Sequence, residues 1–410
     1  MPPSIFEASH PAVARALERL ALRLQGKSIV HVNSTRQGGG VAEILERLVP
    51  ATQELGINAR WEVIEGDERF FAATKSFHNA LQGAPTTIPE TLLRHYEEIN
   101  AANAEKLRPL LEDAWAVFIH DPQPAPLLGL CPERRGKWVW RCHIDLSAPH
   151  PPVWHYLLRH VSGYDASVFS MPAYSQALPH LQAVMAPAID PMSEKNIDLS
   201  AAEIEETALR FGLDIKRPMA VQISRFDRFK DPLGVLRAWE IARKKVPGLQ
   251  LVLAGGGASD DPEGEAVLKE VRTAANGDPD AHILPLPPDA HRTINALQRM
   301  ASVVLQKSTK EGFGLTVSEA LWKERPFIGG NVGGIRLQVI EGVTGHLVNT
   351  PEGAAFRMQT LLKDRESAMR MGKAGKEWVR SRFLLSRLLR DELVLLASLA
   401  EGAPNPLEIS

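Results

Sequence analysis

The stretch "SRFDRFKD" places Arg225 and Lys230 five residues apart, just past a short apolar run. A guanidinium fork and an ammonium together can hold a diphosphate and stabilise it as a leaving group. Taken alone, such a pair reads as a solvated basic loop. Further along, "EGFGLTVSEALW" carries Glu311 before a Gly-Phe-Gly turn and Glu319 inside the helix that begins near Gly314. The turn exposes backbone N–H groups at a helix start, suited to phosphate or hydroxyl oxygens. One carboxylate at the mouth and one a turn or more inside can each accept bidentate hydrogen bonds from vicinal hydroxyls. A hexose and a ribose joined through a diphosphate would present such hydroxyls. Two glutamates at this spacing, without the basic pair, read as a helix cap and a surface residue.

A second candidate is "HVNSTRQGGGVAEILERL", residues 31–48. It reads as a strand that passes through Gly38, Gly39 and Gly40 into a helix. Glycine costs backbone entropy and packs nothing, so three in a row imply close approach of something to the backbone. At a helix start the visitor is an anion or a sugar oxygen.

Positioning these residues is the task of alternating strands and helices. "SIVHVN" (28–33), "INARWEVIEG", "AVFIHDPQP" (116–124), "WVWRCHIDLS" (138–147), "ASVFSMP" (166–172) and "AVMAPAID" (183–190) read as strands of a first half. The helix after the glycines carries Val41, Ile44, Leu45, Leu48 and Val49 at helical spacing, is kinked or tightened by Pro50 and ends at Gly56. From Asp67 to about Leu111 the chain is polar and helical, broken at "GAPTTIPE". A polar segment, 191–218, reads first as linker and then as a helix opening a second half. There "MAVQISRFD", "LQLVLAGGG", "HILPLP", "SVVLQKS" and "FIGGNVGG" alternate with helices, and from Pro351 the tail is helical. The pattern predicts an α/β protein of two doubly wound, Rossmann-like domains facing each other across a cleft. Their extents read as 1–195 and 196–380, with 381–410 a C-terminal helix returning towards the first domain. Its stripe of Leu384, Leu385, Leu388, Leu389, Leu393 and Leu396 is expected to dock across the domains. Trp138 and Trp140 read as core. His120, Asp121, His143, Asp145, Arg225 and Asp227 all fall at or just past strand C-terminal ends, the functional edge of open α/β sheets.

At 410 residues with 44% hydrophobic and 23% charged, the composition is that of a globular protein large enough for two cores. The net charge of −2 and the lack of basic blocks speak against nucleic-acid or anionic-membrane partners. The first twenty residues lack an apolar signal region, and no apolar run is long enough to span a bilayer. Cys131 and Cys142 read as reduced, buried thiols of a cytoplasmic protein. The 13 histidines show no zinc-ligand spacing, and no obvious Asp-x-Asp metal motif appears.

"SRFDRFKD", "LVLAGGG" and "EGFGLTVSEALWKERPFIGGNVGGI" resemble the C-terminal domain of the retaining GT-B glycosyltransferases of family 4, whose Glu-x7-Glu signature fits Glu311 and Glu319. "HVNSTRQGGGVAEIL", "ARWEVIEG", "FHNALQG", "HDPQPAPLL" and "WRCHIDLS" are similar to one branch, the trehalose glycosyltransferring synthases, which join a nucleotide-activated glucose to free glucose. The resemblance runs from about residue 28 to about 380.

It implies that Gly39 and Gly40 lie near the diphosphate and the transferred sugar, and that Arg225 and Lys230 neutralise the departing diphosphate. Glu311 would bind the donor hexose and Glu319 the ribose, with backbone groups of Phe313, Gly314 and Leu315 lining phosphate and sugar. His143 matches a histidine near the donor hexose, and Asp121 and Asp145 are candidate hydroxyl ligands. His78, Asn79 and Gln82 lie in a branch-like stretch for which acceptor binding is one reading. Asn331 departs from the pattern in "GGNVGG", which leaves donor preference open. The implied partners are a nucleoside diphosphate glucose and glucose, or trehalose. No cofactor bound by the protein is implied, with Mg²⁺ acting at most through the nucleotide, and a homodimer is compatible. No side chain advertises itself as a nucleophile, so retention is expected through front-face attack. A retaining trehalose phosphorylase, a family 4 enzyme with another small acceptor, a non-catalytic nucleotide-sugar binder and an epimerase are the alternatives.

Overall fold

The computed structural model describes residues 8–37, 39–256 and 262–402, so Gly38 and Gly257 of the glycine-rich stretches lie outside the described residues. The chain divides into two compact units. The first runs to Ala188 and takes in the chain again from Leu385; the second is Ile189–Leu384.

The first unit contains α1 (Pro11–Leu24), β1 (Ser28–Asn33), α2 (Gly40–Glu54), β2 (Asn58–Val63), α3 (Glu68–Leu81), α4 (Glu90–Asp113), β3 (Ala116–His120), α5 (Leu127–Leu130), β4 (Lys137–Cys142), α6 (Pro151–Val161), β5 (Ala166–Phe169) and β6 (Leu181–Val184). Its strands are parallel in the order β2-β1-β3-β4-β5-β6, so the direction of winding reverses between β1 and β3. Strand alternation sends Val30, Val32, Val117, Ile119, Trp138 and Trp140 into one core with Phe70, Phe77 and Tyr96. The two tryptophans are core, and Cys131 and Cys142 are buried free thiols.

The second unit holds α7 (Ala201–Phe211), β7 (Met219–Ile223), α8 (Pro232–Arg243), β8 (Gln250–Gly256), α9 (Pro262–Ala275), β9 (Ala281–Leu286), α10 (His291–Met300), β10 (Val303–Gln306), α11 (Leu315–Trp322), β11 (Phe327–Gly330), α12 (Ile335–Gln338), β12 (His346–Val348), α13 (Pro351–Lys363) and α14 (Arg365–Arg382). Its parallel sheet runs β12-β11-β10-β7-β8-β9, with the reversal between β10 and β7. Ser200 and Glu203 close a capping box on α7, and Gly212 ends it in the left-handed region.

The last helix, α15 (Leu385–Glu401), returns to the first unit and packs on α1, α2 and β4. Leu385, Leu388, Leu389, Leu393 and Leu396 are buried there. Leu384 is not in this helix: it forms an isolated bridge to Ile189 at the end of the second unit. The stretch expected to be one helix from about residue 381 is therefore broken at Phe383 and Leu384, between the end of α14 and the start of α15.

The early part of the polar stretch 191–218 was expected to be linker, yet it packs as part of the second unit. Asn295 donates to the carbonyls of Glu194 and Ile197, and Lys323 donates to Asn196 Oδ1 at 2.9 Å. Expected strand 183–190 is shorter and earlier, Leu181–Val184. Beyond it the carbonyls of Ala186 and Pro187 accept from Arg387 instead of a neighbouring strand. Helix α2 runs through Pro50 to Glu54, and Gly56 lies just past its end at φ +77, where the helix was expected to stop.

Candidate active site

Ligands of open α/β sheets gather at strand C-terminal ends where the winding reverses. In the first unit Gly39, Gly40 and Asp121 follow β1 and β3 at that point, and His143 and Asp145 follow β4, the next strand. In the second unit the expected site residues follow β7 and β10, which are neighbours. A 3₁₀ turn over Arg228–Lys230, capped by Asp227 Oδ1 on the N–H groups of Phe229 and Lys230, carries Lys230 back towards β10. Its Nζ donates to Glu311 Oε2 at 2.6 Å. Ser308 Oγ, just past β10, donates to the same oxygen at 3.2 Å. Arg225 is more open, with its side chain 55% exposed and its guanidinium 3.2 Å from Asp227 Oδ2.

The turn after Glu311 is built for close approach. Gly314 has φ +81 and is the N-cap of α11 without a side-chain cap hydrogen bond. The Val317 N–H bonds back to the Gly314 carbonyl, and those of Leu315 and Thr316 at the start of α11 are left for a ligand. Gln338 Nε2 donates to the carbonyls of Phe313 and Gly314, fixing which edge of the turn is spent on the protein. Gly334 lies so close beneath that a Cβ would meet Phe313 Cα at 2.4 Å. Phe313 itself is buried, its ring 5.7 Å from that of Phe383. Leu315 opens α11, and Glu319 sits buried inside it with Lys195 Nζ 3.9 Å from Oε1.

In the first unit Gly39 is the N-cap of α2, with φ +82 and ψ 156, a conformation close to glycine-only. No atom lies within 4 Å of where its Cβ would be, and Gly40 follows as the first, exposed residue of the helix. Asp121 ends β3 with φ +63, and its Oδ1 accepts the His143 N–H at 2.7 Å. Burial pushes the Asp121 carboxyl up to about 7 against that hydrogen bond and the charge of Arg141. Asp145 Oδ1 accepts the Ser147 N–H in a local turn. His78 lies in the last turn of α3 and Gln82 caps it, with Asn79 between them.

Behind His143 the sheet carries a buried polar row. In the register of β1, β3 and β4, His31 pairs with Phe118 and His120 with Arg141. Alternation puts His31, His120 and Arg141 on the face opposite the aromatic core. His31 Nδ1 is 3.1 Å from His120 Nε2, and His120 Nδ1 is 3.0 Å from His143 Nε2. Arg141 pairs with Glu392 of α15 at 2.8 Å. Burial holds His31 down at about 3 and His120 and His143 well below the imidazole range, helped by the charge of Arg141, so all three rings are neutral at pH 7.

Sequence reading found the strand-end residues and missed their supports. Ser308, Gln338 and Lys195 carry no motif signal. His120 was named at its strand end and His31 was not, and only the register shows the two in line with His143. An Asp-x-Asp spacing does exist at Asp278 and Asp280, away from these residues, and both aspartates pair with Arg243. No group of three or more His, Cys, Asp or Glu among the described residues is placed to hold a metal ion.

The two units match two families in turn. Residues 31–176 match the trehalose synthase N-terminal domain, and residues 204–378 match glycosyl transferases group 1. The chain is 45% identical over 387 residues to the trehalose synthase of Thermococcus litoralis, covering 93% of each chain. The chain belongs to the trehalose synthase family. It is also 44% identical over 393 residues to the trehalose synthase of Rubrobacter xylanophilus, again covering 93% of each. As a member of this family it is a glycosyltransferase. Among solved structures, a UDP-forming α,α-trehalose-phosphate synthase from Burkholderia xenovorans matches with TM-score 0.74 at 16% identity, covering 92% of this chain and 100% of that one. That likeness, with the two doubly wound sheets, shows the GT-B fold. No helix among the described residues is long and apolar enough to cross a membrane.

Proposed function

We propose that this protein is a retaining glucosyltransferase that forms α,α-trehalose from a nucleoside diphosphate glucose and free glucose, reversibly. The observation that carries the reading is the pairing of Lys230 Nζ with Glu311 Oε2 at 2.6 Å, at the winding reversal of the second sheet, in a chain of the trehalose synthase family. A cation and a carboxylate held together there suit a ligand that is anionic on one side and rich in hydroxyls on the other.

In this reading Lys230 and Arg225 take the charge that builds on the departing diphosphate. The uncapped start of α11 supplies N–H groups to the phosphates. Glu311 accepts hexose hydroxyls and Glu319 those of the ribose. His143, neutral, and Asp121, poised near neutrality, border the transferred sugar, with Gly39 and Gly40 giving the diphosphate room. The acceptor hydroxyl attacks from the face the diphosphate leaves, and the leaving diphosphate takes its proton. The protein's contribution is then position and fixed charge. Mg²⁺ acts, if at all, through the nucleotide, and the reaction is that of a cytoplasmic enzyme.

The test is a product assay with ADP-, UDP- or GDP-glucose and glucose, following nucleotide release and disaccharide together by anomeric proton NMR. Trehalose formed in step with nucleoside diphosphate supports the reading and ranks the donors. Nucleotide release without disaccharide, or phosphate-dependent cleavage of trehalose without donor use, overturns it. A covalent glycosyl adduct trapped on Glu311 or Asp121 that turns over would overturn the front-face step alone.

A further inference from the structure

The row His31, His120, His143 has the form of a relay. We propose that His31 and His120 are positioning residues for His143: their ring-nitrogen contacts hold the three imidazoles in one shared tautomer, which sets whether His143 Nδ1 meets the sugar as a donor or as an acceptor. The second half of this statement rests on the reading of His143 given above; the first half does not.

Each neutral imidazole carries one N–H and one lone pair. The two links, at 3.1 and 3.0 Å, each need one hydrogen between two nitrogens. Only two patterns satisfy both links. With every proton on Nδ1, His31 donates to His120, His120 donates to His143, and His143 Nδ1–H points onward as a donor. With every proton on Nε2, both links reverse and His143 Nδ1 is left as a lone pair. Any mixed pattern sets N–H against N–H or lone pair against lone pair inside the protein, where an unmade hydrogen bond is costly. The ring planes are aligned: His31 stacks on Phe118 at 4.9 Å with 4° between planes, and the planes of His120 and His143 are within 18°, with centroids 5.3 Å apart. Arg141, paired with Glu392, lies alongside and disfavours a second proton on any ring. Asp121 holds the His143 N–H, so the backbone of the last ring is fixed as well. The three rings thus change tautomer together, and the tautomer of His31 sets the hydrogen-bonding sense of a nitrogen two rings away.

The test uses full-length protein with ¹⁵N-labelled histidine, reading ring-nitrogen shifts at pH 7.5, alongside kinetics. Wild type should show the three rings in one and the same tautomer. His31→Phe keeps the stack on Phe118 and the His120 to His143 contact but leaves His120 Nε2 without its ring partner, so the balance between the two tautomers of His143 should shift. His120→Leu should do the same and lower kcat about tenfold, the worth of one hydrogen bond, with donor KM within about twofold. His120→Gln, which keeps a donor and an acceptor, should recover part of kcat. Mixed tautomers in wild type, or a His143 tautomer unchanged in the folded variants, would overturn the relay. A single shared tautomer in a wild type without transferase activity would support the relay and sink the functional reading instead.

Discussion

Lys230 and Glu311 are 81 residues apart, yet Nζ and Oε2 meet at 2.6 Å because β7 and β10 are adjacent in the second sheet. Each satisfies the other at a largely buried place, so the site is charged and ordered before a ligand arrives. Lys230→Ala should lower kcat by about 10²–10³, the loss typical of one preorganised charge at a developing anion. Donor KM should change much less. Glu311→Gln keeps the shape but leaves Lys230 without its carboxylate, and is expected to lower kcat/KM strongly as well. Steady-state kinetics on both variants decide it. A Lys230→Ala enzyme with near-normal kcat would show that the ammonium does not face the leaving group.

Glu319 separates a nucleotide-sugar enzyme from a phosphorylase. If it accepts both ribose hydroxyls, Glu319→Ala should raise donor KM about 10–100-fold and leave kcat within about threefold, as for binding equal in ground and transition states. Lys195 Nζ lies 3.9 Å from Glu319 Oε1, so a melting curve must accompany the kinetics. An unchanged KM in a folded variant removes the ribose role.

Much of this arrangement was legible in the sequence because its signals are local. Apolar runs ending in His, Asp or Arg mark strand ends, and glycine clusters mark helix starts, so Gly39, Asp121, His143, Lys230 and Glu311 could be named before any fold was seen. What stayed hidden depends on strand order and register. His31 and His120 are 89 residues apart and meet only because β1 and β3 pair in parallel with His31 opposite Phe118. Lys195 sits in a stretch that reads as linker, and its place in the second unit is fixed by Asn295 and Lys323, far along the chain. Strand β12 has three residues, His346–Val348, too few for a periodic signal. Leu384 keeps the leucine spacing of α15 but lies opposite Ile189, whose N–H donates to the Phe383 carbonyl, a choice that spacing does not encode.

The glycines give a prediction that separates strain from function. Gly39 has φ +82 with open space where a Cβ would go, so Gly39→Ala costs backbone strain alone, about 1–3 kcal/mol. At Gly314 a Cβ would stand 3.1 Å from Glu311 Cγ and push the carboxylate aside. Gly212, at φ +64 in the cap of α7 with nothing within 4 Å, is the control. Gly212→Ala should lose stability and keep activity. Gly39→Ala and Gly314→Ala should lose activity beyond what their melting temperatures explain. Equal activity in all three would mean that the two loops serve only the fold.

The buried imidazoles give stability a definite pH slope. His31 titrates at 6.5 when unfolded and at about 3 when folded, held down by burial and Arg141, so between those values the unfolded state binds the extra proton. Stability from this group is full above 6.5 and is lost as pH falls towards 3. His120 and His143 act in the same sense, and so does His160, held at about 4 mainly by burial. Asp121 and Glu392, both raised to about 7 by burial, act oppositely, since their native forms keep a proton that the unfolded chain gives up. The histidines outnumber them, so urea unfolding free energy should rise from pH 4 to 6.5. His31→Phe removes one histidine and neither carboxyl, and should make that rise shallower by up to about 1.4 kcal/mol per pH unit. An identical slope in the variant would mean that His31 takes up its proton in the native state as readily as in the unfolded chain.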